Sequence, residues 1–299
     1  MAYLFTHFTS DKTGDKEHIW FSVSEDGLHW TDLGTEPVLS SNLGTKGIRD
    51  PFIVYDEKLK KYFIIATDLL TKTGDWYKYS HRGSRSIIVW ESGDLINWSE
   101  PRLCEVGIKS AGCVWAPEAI FCKEKEMWFV FFASNVREKG EWHRKQRIYG
   151  TFTKDFREFT GTFKYIDGET ALIDTNIVWD NGMYYRFTKD ETHKVIILEK
   201  CDTLVGKEYE KIYSETFANF FGLEGPEAYY LDDMKKWCVI ADNYHGNHGY
   251  TPFVTDDLNS GEYTQLLPDR YDMGNRKKRH GGIIKIPQNV ADRLIKHYK

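Results

Sequence analysis

Short apolar runs rich in β-branched and aromatic residues, broken by turn residues, recur along the whole chain. The clearest set opens with Ile48-Arg49-Asp50-Pro51-Phe52-Ile53-Val54 and crosses the polar turn Asp56-Glu57-Lys58-Leu59-Lys60. It continues as Lys61-Tyr62-Phe63-Ile64-Ile65-Ala66-Thr67-Asp68, then Ser86-Ile87-Ile88-Val89-Trp90-Glu91-Ser92, then Asp94-Leu95-Ile96-Asn97-Trp98. Such runs predict antiparallel strands. The set repeats, with openings at Val114-Trp115-Ala116-Pro117-Glu118, Leu172-Ile173-Asp174-Thr175 and Leu223-Glu224-Gly225-Pro226-Glu227. Asp180-Asn181-Gly182 is a strong hairpin signal inside the third of these copies.

The two ends of the chain complete each other. The N-terminal copy, Tyr3 to Ser10 and His18 to Ser24 followed by the Trp30 segment, has no opening strand. Near the C-terminus, Arg279-His280-Gly281-Gly282-Ile283-Ile284-Lys285-Ile286-Pro287 is an opening strand with no partners after it. Pro51, Pro117, Thr175, Pro226 and Gly281 are separated by 66, 58, 51 and 55 residues, enough for four strands per unit at roughly 40–50 residues each plus loops. The reading is an all-β, five-bladed β-propeller, closed by pairing the C-terminal strand with the N-terminal blade. A β-sandwich of similar strand count explains neither the matched openings nor the split unit. Residues 1–299 are read as one catalytic domain, with 289–299 a short helix on the rim, because Val290, Leu294, Ile295 and Tyr298 fall at helical spacing.

Composition narrows the partners. The net charge is −5 and the pI about 6.1. Arg276-Lys277-Lys278-Arg279 is the densest basic run, too short for a nucleic-acid footprint. No apolar stretch approaches bilayer-spanning length, and Met1-Ala2-Tyr3-Leu4-Phe5 does not resemble a signal peptide. Cys104, Cys113, Cys122, Cys201 and Cys238 are odd in number and lack C-x-x-C spacing, which reads as free thiols. The expectation is a cytoplasmic enzyme, with secretion of a longer precursor left open.

In a propeller the first strand of each blade lines the central channel, so five opening strands bring distant residues to one mouth. They deliver Asp50, the Trp115 to Glu118 group, Asp174, the Glu224 to Glu227 group and His280. Buried carboxylates are unfavourable unless paired, so acids on inner strands point to a functional site or to a structural network. Carboxylates around a cleft suit glycosidic bond cleavage: one protonates the leaving oxygen, another is ionised, and a third holds the donor's pKa up by repulsion. Aromatic residues, 15% of the chain with 10 Trp and 18 Tyr, suit sugar stacking, although most fall at strand positions and fill the core.

Arg49-Asp50-Pro51, Trp115-Ala116-Pro117-Glu118, Ile173-Asp174, Glu224-Gly225-Pro226 and Arg279-His280-Gly281 together resemble glycoside hydrolase family 43, the five-bladed enzymes of clan F. The resemblance implies an inverting glycosidase acting on terminal α-L-arabinofuranosyl, β-D-xylosyl or, in some branches, galactosyl linkages of plant-derived oligosaccharides. It implies that Asp50 is the general base, Glu224 the general acid and Asp174 the residue that tunes and orients Glu224. Arg49, Trp115, Glu118 and Arg279 become candidate substrate contacts. Glu227, three residues past Glu224 and therefore expected on the opposite strand face, ranks second as acid and is also a candidate contact. His280 falls at the channel floor, a candidate substrate contact and metal ligand, directly or through water. No cofactor is required, and a structural or activating calcium on the axis is allowed. The plainer reading has His280 hydrogen-bonding a water or a carbonyl, since calcium prefers oxygen. The usual W-A-P-D is here W-A-P-E, and about three strands precede Asp50.

Three other readings compete with this one. A non-catalytic sugar-binding propeller would not need Asp50, Asp174 and Glu224 together. An invertase-type fructosidase would need a nucleophilic Asp on an earlier inner strand, which the incomplete first copy does not offer. A scaffold propeller for protein partners would show W-D repeats, which are absent. Loops Thr71 to Arg85 and Asn135 to Arg144 are expected to shape the pocket. The sequence sets neither the sugar, nor exo against endo cleavage, nor oligomeric state.

Overall fold

A computed structural model describes residues 1–9, 17–246 and 248–298. Twenty strands form five four-stranded antiparallel sheets around one axis. Four blades are sequential in the chain, with inner strands Ile48–Asp56, Trp115–Cys122, Leu172–Asp180 and Leu223–Leu231. The fifth is composite: the inner strand Lys278–Ile286 pairs with Ala2–Thr9, from Ala2 opposite Ile286 to Thr9 opposite Lys278. The predicted closure is therefore the one observed. Ser10, the expected end of the N-terminal strand, and Lys299 lie outside the described residues.

The strands read as nearly continuous apolar runs because both faces of each blade are buried. Leu4 enters one inter-blade core with Ile48, Ile64 and Trp90, while its neighbours Tyr3 and Phe5 enter the core on the other face with Tyr229 and Tyr250. Ile64 and its neighbours Phe63 and Ile65 divide in the same way. Five such apolar clusters fill the five blade seams. The helix Gln288–Tyr298 adds Ala291 and Leu294 to the seam between the composite blade and its successor. Tyr298 and Arg293 also donate to the carbonyls of Leu95 and Asp94. Among the described residues no helix is long and apolar enough to cross a membrane, and the five cysteines are free.

The Trp-bearing segments expected as fourth strands are turns instead. Asp94 takes the amides of Ile96 and Asn97 at 3.0 and 2.8 Å, and Asp26 takes those of Leu28 and His29, both at 2.8 Å. A side-chain acceptor that satisfies the backbone locally competes with the sheet ladder. The outer strands follow these turns, at Arg102–Glu105 and Thr31–Asp32.

Gly281 marks the tightest point of ring closure: a Cβ there would stand 2.0 Å from the Thr6 carbonyl oxygen, in the paired strand. Gly281→Ala should therefore destabilise the protein by about 1–3 kcal/mol, the usual range for overpacking. Chemical denaturation measures this, and an unchanged midpoint would show that the seam has slack.

Candidate active site

Each inner strand is bulged near its start, which re-aims side chains at one mouth of the axis. Register shifts fall between Arg49 and Phe52, Trp115 and Glu118, Ile173 and Thr175, and Glu224 and Glu227. At these bulges Asp50, Ala116, Asp174 and Gly225 take left-handed backbone, with φ of 48°, 47°, 49° and 53°. Each immediately precedes one of the sequence markers Pro51, Pro117, Thr175 and Pro226. In the composite blade the shift lies between His7 and Phe8, which face Gly281 and Arg279, so His280 is the skipped residue.

The bulges are tied across the blades. Thr67 donates to Asp50 Oδ2 at 2.8 Å and accepts the Ala116 amide at 2.8 Å. Asp174 Oδ2 accepts the Gly225 amide at 3.1 Å. Tyr250 donates to the Gly225 carbonyl at 3.1 Å and accepts the Gly281 amide at 3.2 Å.

Asp50, Asp174 and Glu224 line one cavity of about 290 Å³, with Arg49, Trp115, Arg279 and His280 also on its walls. Lys189 and Arg279 grip the two oxygens of Glu224 at 2.8 and 2.6 Å. Arg279 also reaches Asp242 at 2.5 Å, and Lys189 reaches Glu191 at 2.7 Å. Burial alone would raise the Glu224 carboxyl, but the Lys189 and Arg279 charges reverse this and pull it down to about 2. Burial dominates at Asp174 and pushes it up to about 6, against the pull of His280 and Lys189. Burial opposes charge on His280, yet Glu118, Asp174 and Asp50 outweigh it and raise the imidazole to about 10. His280 Nδ1 lies 3.7 Å from Asp50 and 3.9 Å from Asp174, and Nε2 lies 3.5 Å from Glu118. The three acids thus share a site with three cations, and Asp174 takes up a proton more readily than Glu224 does.

Two expected pocket contacts are placed differently. Glu118 and Glu227 are buried and do not line the cavity. Asn176 Nδ2 donates to both, at 2.9 and 2.7 Å, and the Ile283 amide donates to Glu227 at 2.8 Å. Plain alternation sends Glu227 to the face opposite Glu224; the bulge at Gly225 adds a residue and resets it, so Glu227 meets Asn176 and Ile283 of the neighbouring inner strands. Burial and the Glu118 charge hold Glu227 well above the usual carboxylate range. Among the described residues no three His, Cys, Asp or Glu side chains converge on one ion position, and the carboxylates around His280 favour its protonated form, with which a metal would have to compete.

Sequence reasoning missed Lys189, Glu191, Tyr244, Trp76 and Phe8 on the cavity wall and Asn176 beside the axis. Lys189 ends the second strand Met183–Asp190. In an antiparallel blade that end lies beside the start of the inner strand, with Lys189 opposite Ile173, so a lysine near the end of a second strand was a usable signal. Trp76 comes from the unforeseen helix Trp76–His81; its ring lies 6.2 Å from that of Trp115, nearly perpendicular at 87°.

A five-bladed propeller with a carboxylate-lined cavity at one mouth of its axis has the architecture of a glycoside hydrolase. The chain belongs to a family related to glycoside hydrolase family 43 and described as a probable glycosyl hydrolase domain, whose model matches residues 1–292. It is 25% identical over 97% of its length to an α-L-arabinofuranosidase of Bifidobacterium longum subsp. longum, and spans about a third (33%) of that relative. Its fold resembles a putative exo-β-1,3-galactanase from Bifidobacterium bifidum s17, with TM-score 0.59, 13% identity and 93% and 91% of the two chains covered. It also resembles an α-L-arabinofuranosidase from Podospora anserina solved in complex with cellotriose, with TM-score 0.53, 13% identity and coverage of 80% and 73%.

The Lys189 contact makes a direct electrostatic prediction. Lys189→Gln removes a cation from Glu224 and Asp174, which disfavours their ionised forms and raises both carboxyls. Side-chain carboxyl NMR should show the Glu224 midpoint rise by about one unit or more; an unmoved midpoint would mean that Arg279 alone holds the charge.

Proposed function

We propose that the protein removes terminal α-L-arabinofuranosyl or β-D-xylosyl groups from plant-derived oligosaccharides with inversion at the anomeric carbon. The convergence of Asp50, Asp174 and Glu224 on one small cavity carries this reading. A space at the low end of ligand-pocket sizes suits one terminal sugar better than a run of them. The activity of the Bifidobacterium longum relative favours arabinofuranosyl. The likeness to a putative exo-β-1,3-galactanase supports galactosyl as a second reading.

In this reading Asp50, steadied by Thr67, takes a proton from the attacking water. Glu224 passes a proton to the leaving oxygen, and Asp174 sets its protonation. The free enzyme holds Glu224 ionised, so the proton is first stored on Asp174. For Glu224 to donate, Lys189 must loosen from it, and Glu191 is the alternative partner already in contact. The elevated Asp174 carboxyl also favours a second assignment, in which Asp174 itself is the donor.

Leaving-group dependence separates the two assignments. Loss of the donor should slow hydrolysis of a natural linkage by about 10²–10⁴-fold and spare a dinitrophenyl glycoside, which needs little protonation. Glu224→Gln should show that pattern; finding it in Asp174→Asn instead moves the donor there. Asp50→Asn should slow both substrates, and unchanged turnover would remove it as base. Anomeric NMR of the first-formed product tests inversion.

The pH profile follows with a definite sign. The reaction needs the proton on Asp174, so kcat/KM in the free enzyme should fall as pH rises through about 6. A profile flat to pH 8 would contradict this proton store. No cofactor takes part, and dialysis against a chelator should leave kcat unchanged; a loss restored by calcium would reverse that part of the reading.

A further inference from the structure

We propose that the loop spanning 137–144, with the helix Trp76–His81, forms a second sugar-binding site that grips the part of a neutral oligosaccharide left behind after cleavage. This rests on the glycosidase reading above and extends it to the rest of the substrate. A larger cavity of about 830 Å³ adjoins the catalytic one, and Trp76, Trp115, Ile173 and Glu191 line both. A chain whose terminal unit occupies the small cavity continues into the large one past the near-perpendicular faces of Trp76 and Trp115.

Trp142 stands at the far wall of that space with 90% of its surface exposed, and Trp76 is 50% exposed. Solvated indoles contribute nothing to the inter-blade cores, yet the loop that displays Trp142 is firmly anchored. Arg147 is fully buried, and a buried guanidinium is unfavourable unless fully partnered. Its partners belong to this loop and its surroundings: the Glu141 carboxylate, Asp167 at 2.7 Å and the Val136 carbonyl at 2.8 Å. Glu141 also accepts the Glu138 amide at 3.0 Å, and Tyr149 donates to Glu138 at 3.0 Å. On the other side Arg144 donates to the carbonyls of Ser110 and Asn135, each at 2.9 Å. The framework therefore fixes an aromatic face toward solvent beside the reaction site.

The wall chemistry suits a neutral polyhydroxylated ligand. Glu141, Arg144, Lys145 and Glu191 already have charged or carbonyl partners within the protein, and Glu169 and His143 on the same wall are exposed to solvent. Asn135, Gln146, Thr170 and Thr192 offer uncharged donors and acceptors suited to hydroxyls. Indole faces pack on the C–H surfaces of sugar rings, and polar groups at the edges fix their orientation.

The test compares wild type with Trp142→Ala on two substrates carrying the same terminal sugar. One is a methyl glycoside, too short to reach the loop; the other is an oligosaccharide with at least three backbone units. On the oligosaccharide kcat/KM should fall about five- to tenfold, through KM, the size expected for one aromatic contact. The methyl glycoside should change less than twofold, and Trp142→Tyr should recover most of the loss. Equal effects on both substrates, or no effect on either, would overturn the proposal. A wild type that cleaves no arabinofuranoside, xyloside or galactoside counts against the substrate reading alone. Calorimetric titration with arabinan, xylan and β-1,3-galactan oligomers then tests the site independently of turnover: weaker binding by Trp142→Ala supports it, and identical or absent binding overturns it.

Discussion

The left-handed bulge at the start of the four sequential inner strands is the constraint on which the rest depends. A non-glycine residue in this conformation is disfavoured by roughly 1–2 kcal/mol, and Asp50, Ala116 and Asp174 all adopt it. Such strain persists only where the surroundings over-determine it. Here the neighbouring blade does so, because the amide freed at one bulge is satisfied by a side chain from the preceding blade: Thr67 for Ala116 and Asp174 for Gly225. The same geometry turns the carboxylates into the mouth. Site and closed ring are therefore one construction, and the composite blade that joins the chain ends supports the acids of the mouth as much as the fold.

Charge balance decides where the proton lies. Glu224, between Lys189 and Arg279, is the stable anion of the group, and His280, among Asp50, Asp174 and Glu118, is the stable cation. Asp174 is left with burial and weaker cation support, so its carboxyl is more easily kept neutral than that of Glu224. The neighbouring buried carboxyls follow the same logic. Glu118 and Glu227 share a single amide nitrogen from Asn176, and burial raises both, Glu118 to about 7. They steady the axis beside the pocket and do not touch its contents.

The architecture was legible because its cause is periodic. Both faces of every blade are buried, so strands appear as apolar runs, and each bulge leaves a Pro or small residue at a fixed place after it: Pro51, Pro117, Thr175, Pro226 and Gly281. The acids of the mouth were legible for the same reason, since they sit beside those markers. What alternation could not show is the effect of the bulge itself, which inserts a residue and so brings Glu227 round to Asn176 and Ile283. Nor could it show the Asp26 and Asp94 turns, whose side chains take backbone amides that a strand would have used. Lys189 and Tyr244 stayed hidden because they come from the ends of second strands, close to the inner strands in space but not in sequence.

Chemistry and specificity are separated in this fold by which connections vary. The inner strands are held to one geometry by the ring, and their starts carry the acids. In the first three sequential blades the links between second and third strands emerge at the same mouth and are not bound by closure. In the blade of Ile48–Asp56 this link carries the helix Trp76–His81, and in the next blade it carries the loop with Trp142. In the third blade it is the tight turn 191–194, where Glu191 and Lys194 border the cavity. Two long links therefore stand beside a short one. Unequal links on an otherwise regular ring thus give the mouth a direction that the repeated inner strands alone would not.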